Sequence, residues 1–123
     1  MRAVGFFSFG GPEVLEVIEV PEVTTGPGQL RIKVHAACVN PTDIMSRDGS
    51  HSERLKTLPP PYVPGMDIAG IIDQVGDGVT TGIKVGDSVI AMVVSMGAHG
   101  GYREQIVLEQ NSVVKAPVGI DHI

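Results

Sequence analysis

The stretch CVNPTDIMSRDG, from Cys38 to Gly49, holds several residue types that carry enzyme chemistry. The chain's only cysteine is followed within five positions by an asparagine, a threonine and an aspartate. A thiolate can act as a nucleophile or a metal ligand, and an amide N–H or a hydroxyl can stabilise negative charge on a substrate oxygen. The stretch also has the composition of a helix start. Three interpretations are therefore open: a metal site, a nucleophile and a helix N-terminus.

The spacing of the polar residues predicts a short helix after this cysteine. Asn40 is a favoured N-cap, Pro41 suits the first helical position, and Asp43 falls at the third. Gly49 can end the helix after about two turns. An Asn40 cap that accepts a backbone N–H through its amide oxygen keeps its NH₂ group free to donate elsewhere. The cap can therefore also be a binding group.

The other candidate motifs favour structural roles. The histidines are scattered, without metal-ligand spacing and without a second cysteine, which argues against a zinc site. They are His35, His51, His99 and His122. Cys38 falls on the apolar face of the strand pattern RIKVHAAC, so we expect it in the core. GDGVTTG has glycines spaced somewhat as in a dinucleotide loop, but turn and strand signals follow where a phosphate loop needs a helix.

Two loops are candidates for the walls of a cleft. LPPPYVPG is stiff and extended because its prolines fix φ, and we expect it to brace a cleft wall rather than bind a proline-recognising partner. His99 is flanked by glycines, in a loop that can line a pocket or simply face solvent.

The composition limits the class of protein. A chain of 123 residues with mean hydropathy +0.19 suits one globular domain. The net charge of −5 argues against nucleic acid and anionic membrane partners. No apolar run is long enough for a membrane helix, and the N-terminus lacks the pattern of a signal peptide. We therefore expect a cytoplasmic protein.

Short apolar runs separated by glycine and proline predict a mainly β domain, in a partly open barrel. Gly70 indicates a bulge or a close backbone approach within its strand. EVLEVIEV is ambiguous, since its glutamates recur every third residue, but its flanking prolines and its valines favour a strand. The predicted strands are RAVGFF, EVLEVIEV, RIKVHAAC, DIAGIIDQV, SVIAMVV, YREQIVL and SVVKA.

Taken in order, these segments resemble the N-terminal catalytic domain of the medium-chain dehydrogenases/reductases, especially the zinc-free quinone oxidoreductase branch. The most specific motifs are N-P-x-D at Asn40 to Asp43, V-P-G-x-D at Val63 to Asp67, and V-G-D-x-V at Val85 to Val89. The resemblance covers residues 1–123. It implies a GroES-like, partly open β-barrel with short helices, followed in the usual family member by a Rossmann domain that binds NADPH.

The resemblance also bears on the metal. In the zinc alcohol dehydrogenases of this superfamily, a cysteine ligand stands at the position of Asn40 and a histidine ligand at that of Met66. Both ligands are replaced here, and Cys38 lies two residues before the ligand position. The resemblance therefore implies a zinc-independent enzyme, in which hydrogen bonds alone polarise the substrate carbonyl.

By the same resemblance, hydride from NADPH would reduce a quinone or an enone. Asn40 and Thr42 are then the expected catalytic donors to the substrate oxygen. Asn40 and Pro41 would also border the cofactor. Asp43 and Asp67 would support these groups, or would serve only the cap and the turn after V-P-G.

The remaining expected cleft residues are Met45, Tyr62 and His99. Several quinone oxidoreductases and enoyl reductases place a tyrosine near the position of Met45. Methionine has no O–H to donate, so three alternatives stay open: Tyr62 folds into the cleft and replaces the donor, the proton comes from water, or the substrate is a different activated carbonyl.

The cofactor domain is expected to be absent from residues 1–123, since no Gly-rich loop and crossover helix follow the last strand. The chain alone is then expected to be inactive, and the full-length protein to be a homo-oligomer. The alternative is a self-contained GroES-like binding or assembly module without enzymatic activity.

Overall fold

Runs of alternating apolar residues form the strands of this domain, and glycine and proline mark the ends of many of them. The computed structural model describes residues 1–123. Seven strands and two short α-helices follow one another along the chain. They are β1 (Arg2–Gly5), β2 (Glu16–Glu19), β3 (Gln29–Ala37), α1 (Pro41–Asp48), α2 (Ser52–Leu55), β4 (Asp67–Val75), β5 (Ser88–Met92), β6 (Gln105–Glu109) and β7 (Val113–Lys115).

The strands form two antiparallel sheets. β1 pairs with β2, and the other five strands are ordered β6-β3-β4-β5-β7. The larger sheet is open, because its outer strands β6 and β7 do not pair with each other. A mainly β, partly open architecture with short helices was expected from the sequence, and the structure confirms it.

The main core lies on one face of the five-stranded sheet. Its centre is fully buried and consists of branched aliphatic side chains, which pack well on a pleated surface. These are Leu30, Ile32, Ile72, Val89 and Ile106. A second cluster under the two-stranded sheet contains Ala3, Ile18 and Val63. The large sheet thereby forms the rigid base from which the loops project.

A β-bulge in β3 changes which side chains face the core. The pairing with β4 passes from Val34 opposite Gly70 to Ala36 opposite Ala69, so His35 is an extra residue. One extra residue reverses the alternation beyond it. Ala37 therefore packs against the core. Cys38 then follows the end of the strand.

Cys38 is consequently exposed. The expectation that it lies in the core was wrong. The strict alternation of RIKVHAAC has no signal for the bulge, and the predicted apolar face is correct only as far as the bulge.

The structure differs from the sequence analysis in two local elements, the segment EVLEVIEV and helix α2. EVLEVIEV begins as part of a 3-10 turn, Pro12–Val14, and only then becomes β2. The strand composition describes the second part, whereas the glutamate period does not separate the two, because Glu16 and Glu19 both lie in β2. Helix α2 was not predicted, because a four-residue helix has too little periodicity to stand out.

Helix α1 has the predicted bounds. Pro41 is its first residue, and Gly49 ends it with a left-handed φ of 95°. GDGVTTG is followed by loop and strand rather than by a helix, as expected.

The close backbone approach predicted at Gly70 is present and can be tested. A Cβ at this position would lie 2.1 Å from the carbonyl oxygen of Lys33. We expect Gly70→Ala to lower the free energy of unfolding by roughly 2–3 kcal/mol, because the backbones of β3 and β4 must separate. Urea denaturation measures the change.

Gly78→Ala is the comparison variant. Gly78 has a left-handed φ of 76°, but a Cβ there would meet nothing within 4 Å. Its cost should be only about 1 kcal/mol, from the backbone conformation alone. Equal losses in the two variants would show that the strand contact at Gly70 is unimportant.

Candidate active site at the start of helix α1

The carboxylate of Asp43 joins three separate segments of the chain. Asp43 is only 4% exposed and is the only buried charged residue. Its Oδ2 accepts the backbone N–H of Asn40 at 2.8 Å, and its Oδ1 accepts the backbone N–H of Gly65 at 2.8 Å. The hydroxyl of Tyr102 also donates to Oδ2, at 3.3 Å. Asp43 therefore holds the helix start, the V-P-G turn and the segment before β6 together.

The V-P-G turn is held tightly against the glycine-rich segment. The N–H of Gly101 donates to the carbonyl of Gly65 at 3.0 Å, and that of Tyr102 donates to the carbonyl of Pro64 at 3.0 Å. A Cβ at Gly65 would lie 2.7 Å from the nitrogen of Gly101, and φ of Gly65 is 108°. Only glycine fits this crossing without strain.

Asn40 is the N-cap of α1, and its side chain is held by a second carboxylate. Its backbone carbonyl accepts the N–H of Asp43 at 3.0 Å. Its amide Nδ2 donates to Oδ2 of Asp67 at 3.0 Å. A primary amide has two N–H donors, so one remains for a ligand. Asp67 also fixes the orientation of the amide, because an amide oxygen facing the carboxylate would be repelled.

Cys38 lies beside the same carboxylate. A hydrogen bond to Asp67, and then the charge of Asp67, raise the pKa of the Cys38 thiol. The thiol therefore stays protonated and weakly nucleophilic at neutral pH. No three histidine, cysteine, aspartate or glutamate side chains, here or elsewhere in residues 1–123, lie close enough together to hold a metal ion.

Two cavities lie near these groups. The larger is a mostly apolar groove of about 840 Å³, whose wall includes Cys38, Asp67 and Ile90. The smaller, of about 110 Å³, is lined in part by Thr42, Ser46, His51, Arg54 and Met66. Met92 and Val94 line both cavities. Of the residues at the start of α1, Thr42 lines the smaller cavity, whereas Asn40 and Pro41 line neither. Asn40 is linked to the larger cavity through Asp67, which lines it and accepts from the Asn40 amide.

The structure brings only some of the expected cleft residues together. Met45 is 37% exposed on α1 and lines neither cavity. His99 is an exposed residue of a tight turn, in which its N–H and carbonyl pair with those of Met96. It also lines neither cavity.

Tyr62 is part of the core and not of the cleft. Its ring packs on Phe6 and Phe9, and its hydroxyl donates to the carbonyl of Leu58 at 3.0 Å. Neither cavity includes it. Its expected place as a substitute for a hydroxyl at Met45 therefore does not agree with the structure.

Sequence reasoning missed Tyr102. Its single O–H is shared between two acceptors, the carbonyl of Cys38 at 3.1 Å and Oδ2 of Asp43 at 3.3 Å. Burial, and next the charge of Asp43, raise the pKa of the Tyr102 phenol. The only sequence signal for a role of Tyr102 in the site was its position after two glycines, in the segment GGYREQ. Nothing local in that segment indicates its distant partners, however.

Comparison with known proteins identifies the domain. The family model of the alcohol dehydrogenase GroES-like domain matches residues 26–118. This chain belongs to that family.

Its relatives are quinone oxidoreductases of the medium-chain dehydrogenase/reductase superfamily. The chain is 41% identical to the quinone oxidoreductase of Rattus norvegicus over 123 residues, covering 98% of this chain and 35% of the relative. The structure of the quinone oxidoreductase from Coxiella burnetii matches with a TM-score of 0.88 at 28% identity, over 100% of this chain and 39% of that one. The Escherichia coli quinone oxidoreductase complexed with NADPH matches with a TM-score of 0.81 at 27% identity, over 99% and 35%.

The GroES-like domain thus spans about a third of the length of these relatives. None of its helices has the length and apolar character needed to cross a membrane.

The large groove fits the nicotinamide ring of a cofactor better than it fits the cofactor's phosphates. Its lining includes no lysine or arginine, and its one acidic side chain is that of Asp67. An apolar wall suits an uncharged ring, whereas phosphates need cations or clustered N–H donors. The groove residues therefore fit a nicotinamide ring and do not fit the phosphates.

The role of Asp43 can be tested with one matched pair of variants. In Asp43→Asn, an NH₂ group replaces one oxygen and faces a backbone N–H, so one buried hydrogen bond is lost. We expect the free energy of unfolding to fall by about 1–3 kcal/mol.

Asp48→Asn is the control on the same helix. Asp48 is exposed and accepts from Ser50 through one oxygen, which asparagine retains. Comparable losses in both variants would contradict the assigned role.

The environment of Cys38 predicts a pH-dependent reactivity. Asp67→Asn removes the carboxylate charge that raises the Cys38 pKa, so the thiolate should form at lower pH. We expect the pH midpoint of iodoacetamide alkylation to move downward in this variant, with faster alkylation at pH 8. Asp48→Asn should leave the midpoint unchanged. An unchanged midpoint in Asp67→Asn would show that Asp67 does not control the thiol.

Proposed function

We propose that this GroES-like domain is the substrate-binding part of a zinc-independent, NADPH-dependent oxidoreductase that reduces quinones or activated enones. The Asn40 amide carries the proposal: Asp67 holds it in place, one N–H is left to donate, and Thr42 lines a cavity at the same helix start. The similarity to quinone oxidoreductases over almost the whole chain supports the same reaction class.

The chain's own residues would act by binding and polarising the carbonyl. The free N–H of Asn40 and the hydroxyl of Thr42 donate to the substrate oxygen, next to the positive end of α1. Asp67 keeps the amide oriented, so little reorganisation is needed when charge develops. One such donor in a site protected from water is worth about 3 kcal/mol of barrier.

NADPH supplies the hydride when it is bound. The groove beside Cys38 and Asp67 offers the nicotinamide ring an apolar wall, with Asn40 and Pro41 proposed at its border. The phosphates are proposed to bind a second domain, in a longer protein of which this chain would be one part. The protein is further proposed to be cytoplasmic and homo-oligomeric in its full-length form.

The test uses the product of the complete reading frame, assayed by NADPH oxidation with 1,4-benzoquinone and with a simple enone. We expect turnover that survives removal of metal ions by a chelator, while the 123-residue chain alone gives none. Turnover by the isolated chain, or loss of activity that zinc restores, would contradict the proposal.

Variants assign the donors in the same assay. We expect Asn40→Ala to lower kcat by about 100-fold and Thr42→Val by about tenfold. Thr81→Val makes the same substitution in an exposed loop and should change nothing. Full activity in Asn40→Ala would exclude the amide as the polarising donor.

A further inference from the structure

The smaller cavity is lined in part by an exposed cation, Arg54, that has no anionic partner. It is lined by hydroxyl, apolar and thioether side chains, by His51 and by Arg54, and by no aspartate or glutamate.

The guanidinium of Arg54 retains free donors. Its Nε contacts Sδ of Met96 at 3.1 Å, and no hydrogen bond is made by its two terminal nitrogens. A thioether is a weak, neutral acceptor, so it orients the side chain without satisfying its charge. The neighbouring acid, Glu53, pairs with Lys56 at 3.6 Å. Arg54 itself forms no ion pair.

We infer that Arg54, with His51 beside it, binds an anionic oxygen of the substrate in the smaller cavity. A guanidinium with free N–H donors matches a carboxylate, a sulfonate or a phenolate oxygen in both charge and geometry. This inference rests on the proposed function for the identity of the substrate. It adds the expectation that acidic or strongly polarised ring compounds are preferred over neutral enones.

The anionic oxygen can come from two sources. It can be a permanent acidic substituent of the substrate. It can also form during reduction, when hydride addition to a conjugated carbon makes one C–H bond and moves the π electrons onto the carbonyl oxygen. The nicotinamide is then oxidised to NADP⁺, and water supplies the proton that neutralises the oxygen.

A binding experiment on the 123-residue chain tests the site without any turnover. The probes are 4-hydroxybenzenesulfonate and phenol, which share a ring and differ in a fixed negative charge, followed by NMR titration. We expect the sulfonate to bind at least tenfold more tightly than phenol. Arg54→Gln should remove this preference and shift no resonances remote from the cavity.

Lys56→Gln is the matched control, since it removes the same charge two residues further along the chain but leaves the cavity lining unchanged. It should retain the preference for the sulfonate. No preference in the wild-type chain, or equal loss in both variants, would overturn the inference. Urea midpoints of the variants verify that each is folded.

Kinetics of the longer protein then distinguish the two sources, with 1,4-benzoquinone and its carboxylated analogue as substrates. An Arg54→Gln variant that raises KM only for the carboxylated quinone indicates a substituent site. Lower kcat for both quinones indicates stabilisation of the developing charge. Unchanged constants for both would overturn the inference. Absence of all turnover would count against the proposed function, and the binding result would still decide the role of Arg54.

Discussion

The site depends on one buried carboxylate without a cationic partner. Asp43 is satisfied by two backbone N–H groups and a phenol hydroxyl, each from a different segment. Burying a charge without such donors would be costly, so the three segments are held in one arrangement. This arrangement sets the direction of the helix start and therefore the place of Asn40. A second carboxylate, Asp67, then orients the Asn40 amide.

The charges around the helix start are unevenly distributed. Both carboxylates, Asp43 and Asp67, contact the Asn40 side of the site, while the unpaired guanidinium of Arg54 lines the smaller cavity. In the proposed arrangement, a permanently anionic substituent is repelled by the carboxylates and attracted by the guanidinium, whereas the reacting oxygen meets the neutral donors Asn40 and Thr42. The Asn40 amide is well suited to its position beside the two carboxylates, since it is a neutral donor and one of its N–H groups bonds to Asp67. The two kinds of donor can therefore serve different parts of one ligand.

The sequence could predict the features that depend on neighbouring residues. All seven strands follow from short apolar runs between glycines and prolines, and helix α1 follows from the capping positions Asn40, Pro41 and Gly49. The family motifs also indicated the N-P-x-D and V-P-G-x-D segments, which do meet in space through Asp43 and Gly65. A sequence pattern cannot show how distant strands pair, and the bulge that exposes Cys38 arises from that pairing.

The wall between the two cavities has a consequence for ligand binding. Met92 and Val94 line both of them, and Met92 is an unbranched, 68% exposed thioether that can change its rotamer at little cost. A molecule on one side thus decides how much room the other side offers. A ligand that displaced the Met92 side chain from one cavity would change the space in the other, and binding in the two cavities would then be coupled without direct contact between the ligands.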